Sequence, residues 1–118
     1  MFNKTLIIVT FLIAAAVPTL SFGHAKVLKT SPANEAVLQT SPEKITLTFP
    51  EALKVTSFKL ENENGDEVSV EGGKSLTPTK EINATPPELH KGTYNVKWRG
   101  LSSDGHPIKG HFNFTIAP

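Results

Sequence analysis

The sequence of 118 residues contains no cysteine, and its single methionine is Met1. A chain without cysteine forms no disulfide and cannot bind a metal through thiolate. Thioether sulfur, which favours Cu(I), is present only in the first residue. Any metal bound by the folded part of this chain must therefore be held by nitrogen and oxygen ligands.

A strong charge of either sign is also lacking. The chain has 12 Lys and Arg against 11 Asp and Glu, which gives a formal net charge of +1. Neither the basic footprint of a nucleic-acid-binding protein nor an acidic tail is present. We therefore expect no nucleic-acid partner.

The first 23 residues have the pattern of a secretory signal peptide. Lys4 precedes an apolar run from Leu6 to Val17 that only Thr10 interrupts, and Ser21-Phe22-Gly23 places small residues where a signal peptidase cleaves. The apolar run is shorter than the roughly 20 residues that cross a bilayer, which argues against a membrane anchor. We predict cleavage after Gly23, so that residues 24–118 form one mature domain without methionine.

The mature sequence predicts an all-β domain. In Lys44–Phe49, Thr93–Trp98 and Gly110–Ile116, apolar and polar residues alternate, as in strands with one buried face. The segment Lys54–Asn62 fits less regularly. The side chains expected to face inward on these strands are Ile45, Leu47, Phe49, Phe58, Leu60, Tyr94, Val96, Trp98, Phe112, Phe114 and Ile116.

Turn signals divide these strands. Pro50-Glu51-Ala52 is expected to break one strand, Asn64-Gly65 predicts a hairpin, and residues 71–80 are assigned to a loop. About seven strands without a helical period predict a Greek-key sandwich of the immunoglobulin type. Lys91-Gly92-Thr93-Tyr94 also resembles the tyrosine corner of such sandwiches.

The candidate site lies in the loop Ser102–Pro107, between the last two predicted strands. Alternate side chains of an extended segment point to one side, so Asp104 and His106 can face one target. Alone this pair is weak, because Asp-Gly is ordinary turn chemistry. In the predicted sandwich, however, the N-terminus, the connection containing Glu51 and this loop all lie at one pole.

An N-terminal histidine can chelate a metal through its free amine and its ring nitrogen. Such an amine has a reference pKa of about 7.7–8.0 and loses its proton readily to a strong Lewis acid. His24, His106 and Asp104 would together supply three nitrogens and one oxygen. This donor set suits Cu(II) best, with zinc as the natural competitor.

Several stretches of the sequence also resemble one protein family. They are His24-Ala25-Lys26-Val27-Leu28, Ser31-Pro32-Ala33, Ile45-Thr46-Leu47-Thr48-Phe49-Pro50-Glu51, Gly92-Thr93-Tyr94-Asn95-Val96-Lys97-Trp98 and Ser103-Asp104-Gly105-His106-Pro107-Ile108-Lys109-Gly110. Together they resemble the CopC family of periplasmic copper-resistance proteins. The resemblance covers essentially the whole mature chain.

This resemblance implies a periplasmic β-sandwich that binds Cu(II) through His24, Asp104 and His106. We also expect a monomer. Glu51 matches a further family ligand only approximately, because Pro50 stands where the family commonly has Ser or Thr, so we leave Glu51 out of the site. The methionine-rich Cu(I) loop of some members is missing. Family members work with the inner-membrane protein CopD, which implies copper delivery to a CopD-like transporter.

Two other functions stay open at this point. Lytic polysaccharide monooxygenases also hold copper with an N-terminal histidine, but a domain of this size leaves little room for their substrate surface, and we expect no enzymatic activity. The other alternative is an immunoglobulin-like interaction module without a metal. His90 and His111 are expected to be surface residues, because a turn and strand alternation place them outward.

Overall fold

The computed structural model describes residues 29–118, and all regular structure in this range is β-strand. The eight strands are β1 (Lys29–Ser31), β2 (Ala36–Leu38), β3 (Ile45–Glu61), β4 (Glu67–Val68), β5 (Glu71–Gly72), β6 (Thr79–Thr85), β7 (Gly92–Leu101) and β8 (Pro107–Ile116). Within this range no helix is long and apolar enough to cross a membrane.

Strand β3 joins two sheets. Its first part lies between β1 and β6 in one sheet, and β5 pairs with the outer edge of β6. Its second part lies between β4 and β7 in the other sheet, where β8 and then β2 continue beyond β7. All pairs are antiparallel except β2 with β8, which is parallel. The predicted all-β sandwich is confirmed, with eight strands in place of about seven.

The predicted strand break at Pro50-Glu51-Ala52 is wrong. Strand β3 continues through these residues, but its pairing with β6 shifts register between Thr48 and Leu53. Proline has no N–H to donate to a ladder, yet its backbone is compatible with an extended chain. Pro50 therefore lies where the pairing, and not the strand, is interrupted, and this is where β3 passes from one sheet to the other.

The other turn assignments agree with the structure except in one segment. Asn64-Gly65 forms the predicted hairpin between β3 and β4, with Gly65 at a φ of 86°. The range 71–80, expected to be a loop, holds the short strand β5 and the start of β6. With only two residues, β5 is too short to produce a recognisable alternation.

Strand alternation predicted the core correctly. Every side chain expected to face inward is buried, and none is more than 7% exposed. The Trp98 ring packs 5.2 Å from that of Phe49, centroid to centroid. On the neighbouring strand Gly110 lies against the indole, where a Cβ atom would approach within 2.7 Å. Gly110 thus makes room for the largest side chain of the core.

The tyrosine corner is also confirmed. The Tyr94 hydroxyl donates a hydrogen bond of 2.8 Å to the backbone carbonyl of His90, four residues upstream. The Tyr94 ring stacks on Phe114 with centroids 5.7 Å apart. These contacts fix the entry of the chain into β7, which leads to the candidate loop.

Candidate metal site

The candidate loop closes the hairpin of β7 and β8. Leu101 pairs with Pro107, which leaves residues 102–106 as the connection. The backbone N–H of Ser102 donates to the carbonyl of His106, and the N–H of Gly105 donates to the carbonyl of Ser102, both at 2.9 Å. Gly105 has a φ of 86°, a left-handed conformation that glycine adopts without strain. The Asp-Gly sequence therefore builds a tight and well-defined turn.

The structure brings the side chains of Asp104 and His106 together. Nδ1 of His106 lies 2.9 Å from Oδ2 of Asp104, and the two side chains are 75% and 66% exposed for His106 and Asp104 respectively. A side-chain contact this exposed contributes little to folding stability. The Asp104–His106 contact is therefore not needed to stabilise the fold, and both side chains are accessible to a ligand.

Ser102 organises this pair, a role that the sequence analysis missed. Its hydroxyl donates to Oδ1 of Asp104 and accepts the backbone N–H of His106 at 3.1 Å. The Ser102 hydrogen bond and, after it, the hydrogen bond from His106 lower the pKa of the Asp104 carboxyl from 3.8 to about 2. Asp104 is therefore a carboxylate at neutral pH. A serine two residues before a turn aspartate was the signal that could have identified it.

The orientation of His106 leaves one ring nitrogen for a ligand. Nδ1 is directed at the Asp104 carboxylate, so Nε2 is the nitrogen that remains open. A carboxylate bonded to one imidazole nitrogen fixes the orientation of the ring. Each carboxylate oxygen also keeps a further lone pair. In this arrangement Nε2 and the Asp104 carboxylate lie on opposite sides of the ring, so the exposed His106 side chain must turn away from its Asp104 contact before one imidazole nitrogen and a carboxylate oxygen can bind the same metal ion.

The end of the sheet that carries this loop also carries the part of β3 between Thr48 and Leu53, where the strand passes from one sheet to the other. We call this part the switch segment. Lys54 pairs with Leu101, so the residues before Lys54 and the loop after Leu101 lie at the same end. Glu51 belongs to that segment and is exposed. Glu51 and the loop are thus at one pole, as predicted. His24 lies outside the described residues.

No group of three or more His, Asp or Glu side chains that could hold a metal occurs within residues 29–118. Asp104 and His106 form a pair only. His90 and His111 are exposed, as expected, and His111 lies opposite Lys97 in the middle of the hairpin, away from the loop. A complete metal site built on this loop needs ligands from elsewhere.

Comparison with known proteins decides the family. Residues 27–117 match the family model of the CopC domain. The chain belongs to the CopC family. Copper resistance protein C of Pseudomonas syringae pv. tomato is 33% identical over 126 residues, which cover 97% of each chain. The family resemblance noted in the sequence is confirmed.

Two further relatives support the CopC fold. A solved structure of CopC from Methylosinus trichosporium OB3b matches with a TM-score of 0.71 at 30% identity, covering 80% of this chain and 95% of that one. The copper transport protein CutJ of Bacillus subtilis is 29% identical over 113 residues. That match covers 92% of this chain but only 21% of CutJ, so this CopC chain spans about a fifth of that relative.

Proposed function

We propose that this CopC protein binds one Cu(II) ion through His24, Asp104 and His106 once residues 1–23 have been removed. The observation that carries the proposal is the exposed Asp104–His106 pair, held in place by Ser102, in a chain of the CopC family. The relatives named above are copper resistance and copper transport proteins. The protein would hold copper for resistance, buffering or delivery.

The donor set fits Cu(II). An amine, two imidazoles and a carboxylate are nitrogen and oxygen ligands of the kind that Cu(II) takes in tetragonal sites, and Cu(II) binds most tightly in the divalent series. The chain after Met1 has neither cysteine nor methionine, so it offers no sulfur ligand of the kind that favours Cu(I). The low pKa of Asp104 keeps its carboxylate ready to bind without first losing a proton.

The direction of β1 supports a contribution from His24. Lys29 pairs with Thr48 and Ser31 with Thr46, so Lys29, the first described residue, is at the end of β1 nearer to the switch segment of β3. The loop lies at that end of the molecule. The five residues back to His24 can span at most about 17 Å, which is enough to carry the N-terminus toward a site at this pole.

Binding, and not catalysis, is the activity we propose. The Asp104 carboxylate would fill a coordination position that oxygen chemistry needs open. The matched relatives carry names of resistance and transport proteins, not of enzymes.

We propose the periplasm as the compartment and a CopD-like membrane transporter as the partner. The predicted signal peptide supports export. The match of this chain to about a fifth of a copper transport protein shows that in that relative a CopC-like region belongs to a longer chain. The CopC domain of this protein would then deliver its copper to a membrane partner of this kind.

Two histidines of the same hairpin provide the test. Cu(II) titration against a competing chelator should show that His106→Ala lowers affinity more than about 100-fold, beyond the usual effect of losing a residue that only orients a ligand. His111→Ala is the matched control and should change affinity less than about twofold, since its imidazole lies away from the loop. Equal losses in the two variants would show that the wrong histidine had been chosen.

A further inference from the structure

The outer face of the sheet that contains β7 and β8 carries an unusual concentration of positive charge. The register places Ser57, Arg99 and Lys109 in one outward row, and Lys59, Lys97 and His111 in the next. These two rows line a groove on the face, which we call the basic face. Lys54, opposite Leu101 between buried Leu53 and Val55, adds a cation in the row nearest the loop.

Charge on this face is poorly compensated. Arg99 lies directly opposite Lys109, and Lys59 directly opposite Lys97. Like charges in opposed positions destabilise a sheet. In the described part of the chain, Lys97 alone among these cations has a carboxylate within ion-pair distance, at 3.0 Å from Glu61. Glu61 thus partly compensates the Lys59–Lys97 pair, whereas the Arg99–Lys109 pair has no carboxylate within ion-pair distance in the described part of the chain.

The carboxylates near this face lie at its two ends. Glu61 and its cross-strand neighbour Glu67 occupy the row farthest from the loop, where the other members are Asn95 and Asn113. Asp104 lies in the loop itself. Between these ends the exposed groups are cations, His111 and hydroxyls. An anionic partner would thus be attracted to the central part of the face although the whole chain has a net charge of only +1.

The composition of the face indicates what kind of anionic partner fits. In protein interfaces a few residues, mostly Trp, Tyr and Arg, carry much of the affinity, and of these types only Arg99 is exposed on this face. The exposed large apolar residues in the described part of the chain are Val37 and Leu76. Val37 lies opposite Thr115 on the edge strand β2, two rows beyond His111 and outside the groove, and Leu76 lies between β5 and β6. Long cationic side chains on an open sheet, without an apolar anchor, are suited instead to the phosphate headgroups of a lipid surface.

We propose that the basic face docks this protein on anionic phospholipid membranes. Docking in this orientation leaves the loop with Asp104 and His106 at the edge of the contact, close to the membrane but not beneath the protein. The proposal does not depend on copper binding and can fail or succeed separately from it.

The test is co-sedimentation of the protein with vesicles of phosphatidylcholine, with and without phosphatidylglycerol. The protein should bind the mixed vesicles at low ionic strength and dissociate as salt is added, because the Debye length falls from about 30 Å at 0.01 M to about 8 Å at 0.15 M. Each cation near an anionic surface strengthens binding about fivefold, so R99Q/K109Q should weaken binding about 25-fold.

The matched control is K44Q/K80Q, which removes two exposed lysines outside this face and leaves the same net charge. It should bind nearly as well as the unchanged protein. Thermal unfolding checks that R99Q/K109Q is folded, and relief of the Arg99–Lys109 repulsion predicts no loss of stability. Any binding through the N-terminal apolar run is shared by both double variants. No preference for phosphatidylglycerol, or equal losses in the two variants, would overturn the proposal.

Discussion

The middle and the tip of the β7–β8 hairpin differ in burial, since the middle is packed into the core and the tip is exposed to solvent. In the middle, Trp98 is 2% exposed and packs on Phe49 and Gly110 with hardly any free space. At the tip, six and eight residues after Trp98, Asp104 and His106 are mostly exposed and contact chiefly each other and Ser102. The middle supplies the stability that holds the hairpin rigid. The tip contributes little stability and is therefore free to bind.

The largest effect should come from Trp98→Ala in the middle of the hairpin. Loss of this buried ring should lower the free energy of unfolding by about 3–5 kcal/mol, as large-to-small changes in a core do. In urea unfolding, the matched change His106→Ala at the tip should cost less than about 0.5 kcal/mol, since an exposed residue loses few contacts. Similar losses at both positions would remove the distinction between the two regions.

A smaller change in free energy, here that of Cu(II) binding, is expected from Ser102→Ala. This variant leaves both proposed loop ligands in place. Without the hydroxyl, Asp104 loses a hydrogen bond and the His106 N–H loses an acceptor. Cu(II) affinity should fall about 10–100-fold, the usual range for a residue that orients metal ligands.

The control for that measurement is Ser103→Ala, in the same exposed loop. Its affinity should match that of the unchanged protein. If Ser102→Ala also left the affinity unchanged, the hydrogen bonds of Ser102 would not position the ligands.

The smallest expected effect is the change in folding stability when Asp104 is protonated at low pH. The pKa of Asp104 is lowered to about 2, so the fold favours its carboxylate form. The stabilisation is complete above about pH 4 and is lost as the pH falls toward 2. Titration of the Asp104 carboxyl carbon by NMR should show a midpoint near 2 in the metal-free protein.

The titration of Ser102→Ala sharpens this point, because the serine hydroxyl is the main cause of the low pKa. In that variant the midpoint should rise toward the ordinary value of 3.8. An unchanged midpoint would assign the low pKa to His106 instead. Copper should be released well above this range, because protons compete for amine and imidazole nitrogens before they protonate this carboxylate.

Most of the fold could be predicted from the sequence because burial imposes a period of two on strands. Ile45, Leu47 and Phe49 show this period, and each is buried. The path of β3 through Pro50 could not be predicted, since proline interrupts a ladder in the same way whether the strand ends or changes sheets. That choice depends on pairing with β6 and β7, which are far away in the sequence.

The candidate ligands could be predicted from the sequence, but the residue that positions them could not be predicted as easily. Asp104 and His106 stand out because a carboxylate and an imidazole flank a turn glycine. Ser102 gives a weaker signal, a serine two residues before a turn aspartate, because its role depends on a turn that returns the hydroxyl to the carboxylate. The basic face was hidden for a similar reason. Its cations come from β3, β7 and β8, and only the register shows that they are neighbours.

The most direct test of the proposed copper site is electron paramagnetic resonance during Cu(II) titration of two forms of the protein. One begins at His24, and the other keeps one additional residue before it. We predict tight binding of one Cu(II) with a nitrogen-rich tetragonal spectrum in the first form only, because the extra residue removes the free amine of His24. Equal affinity and identical spectra in the two forms would contradict the proposal that the N-terminal histidine completes the site.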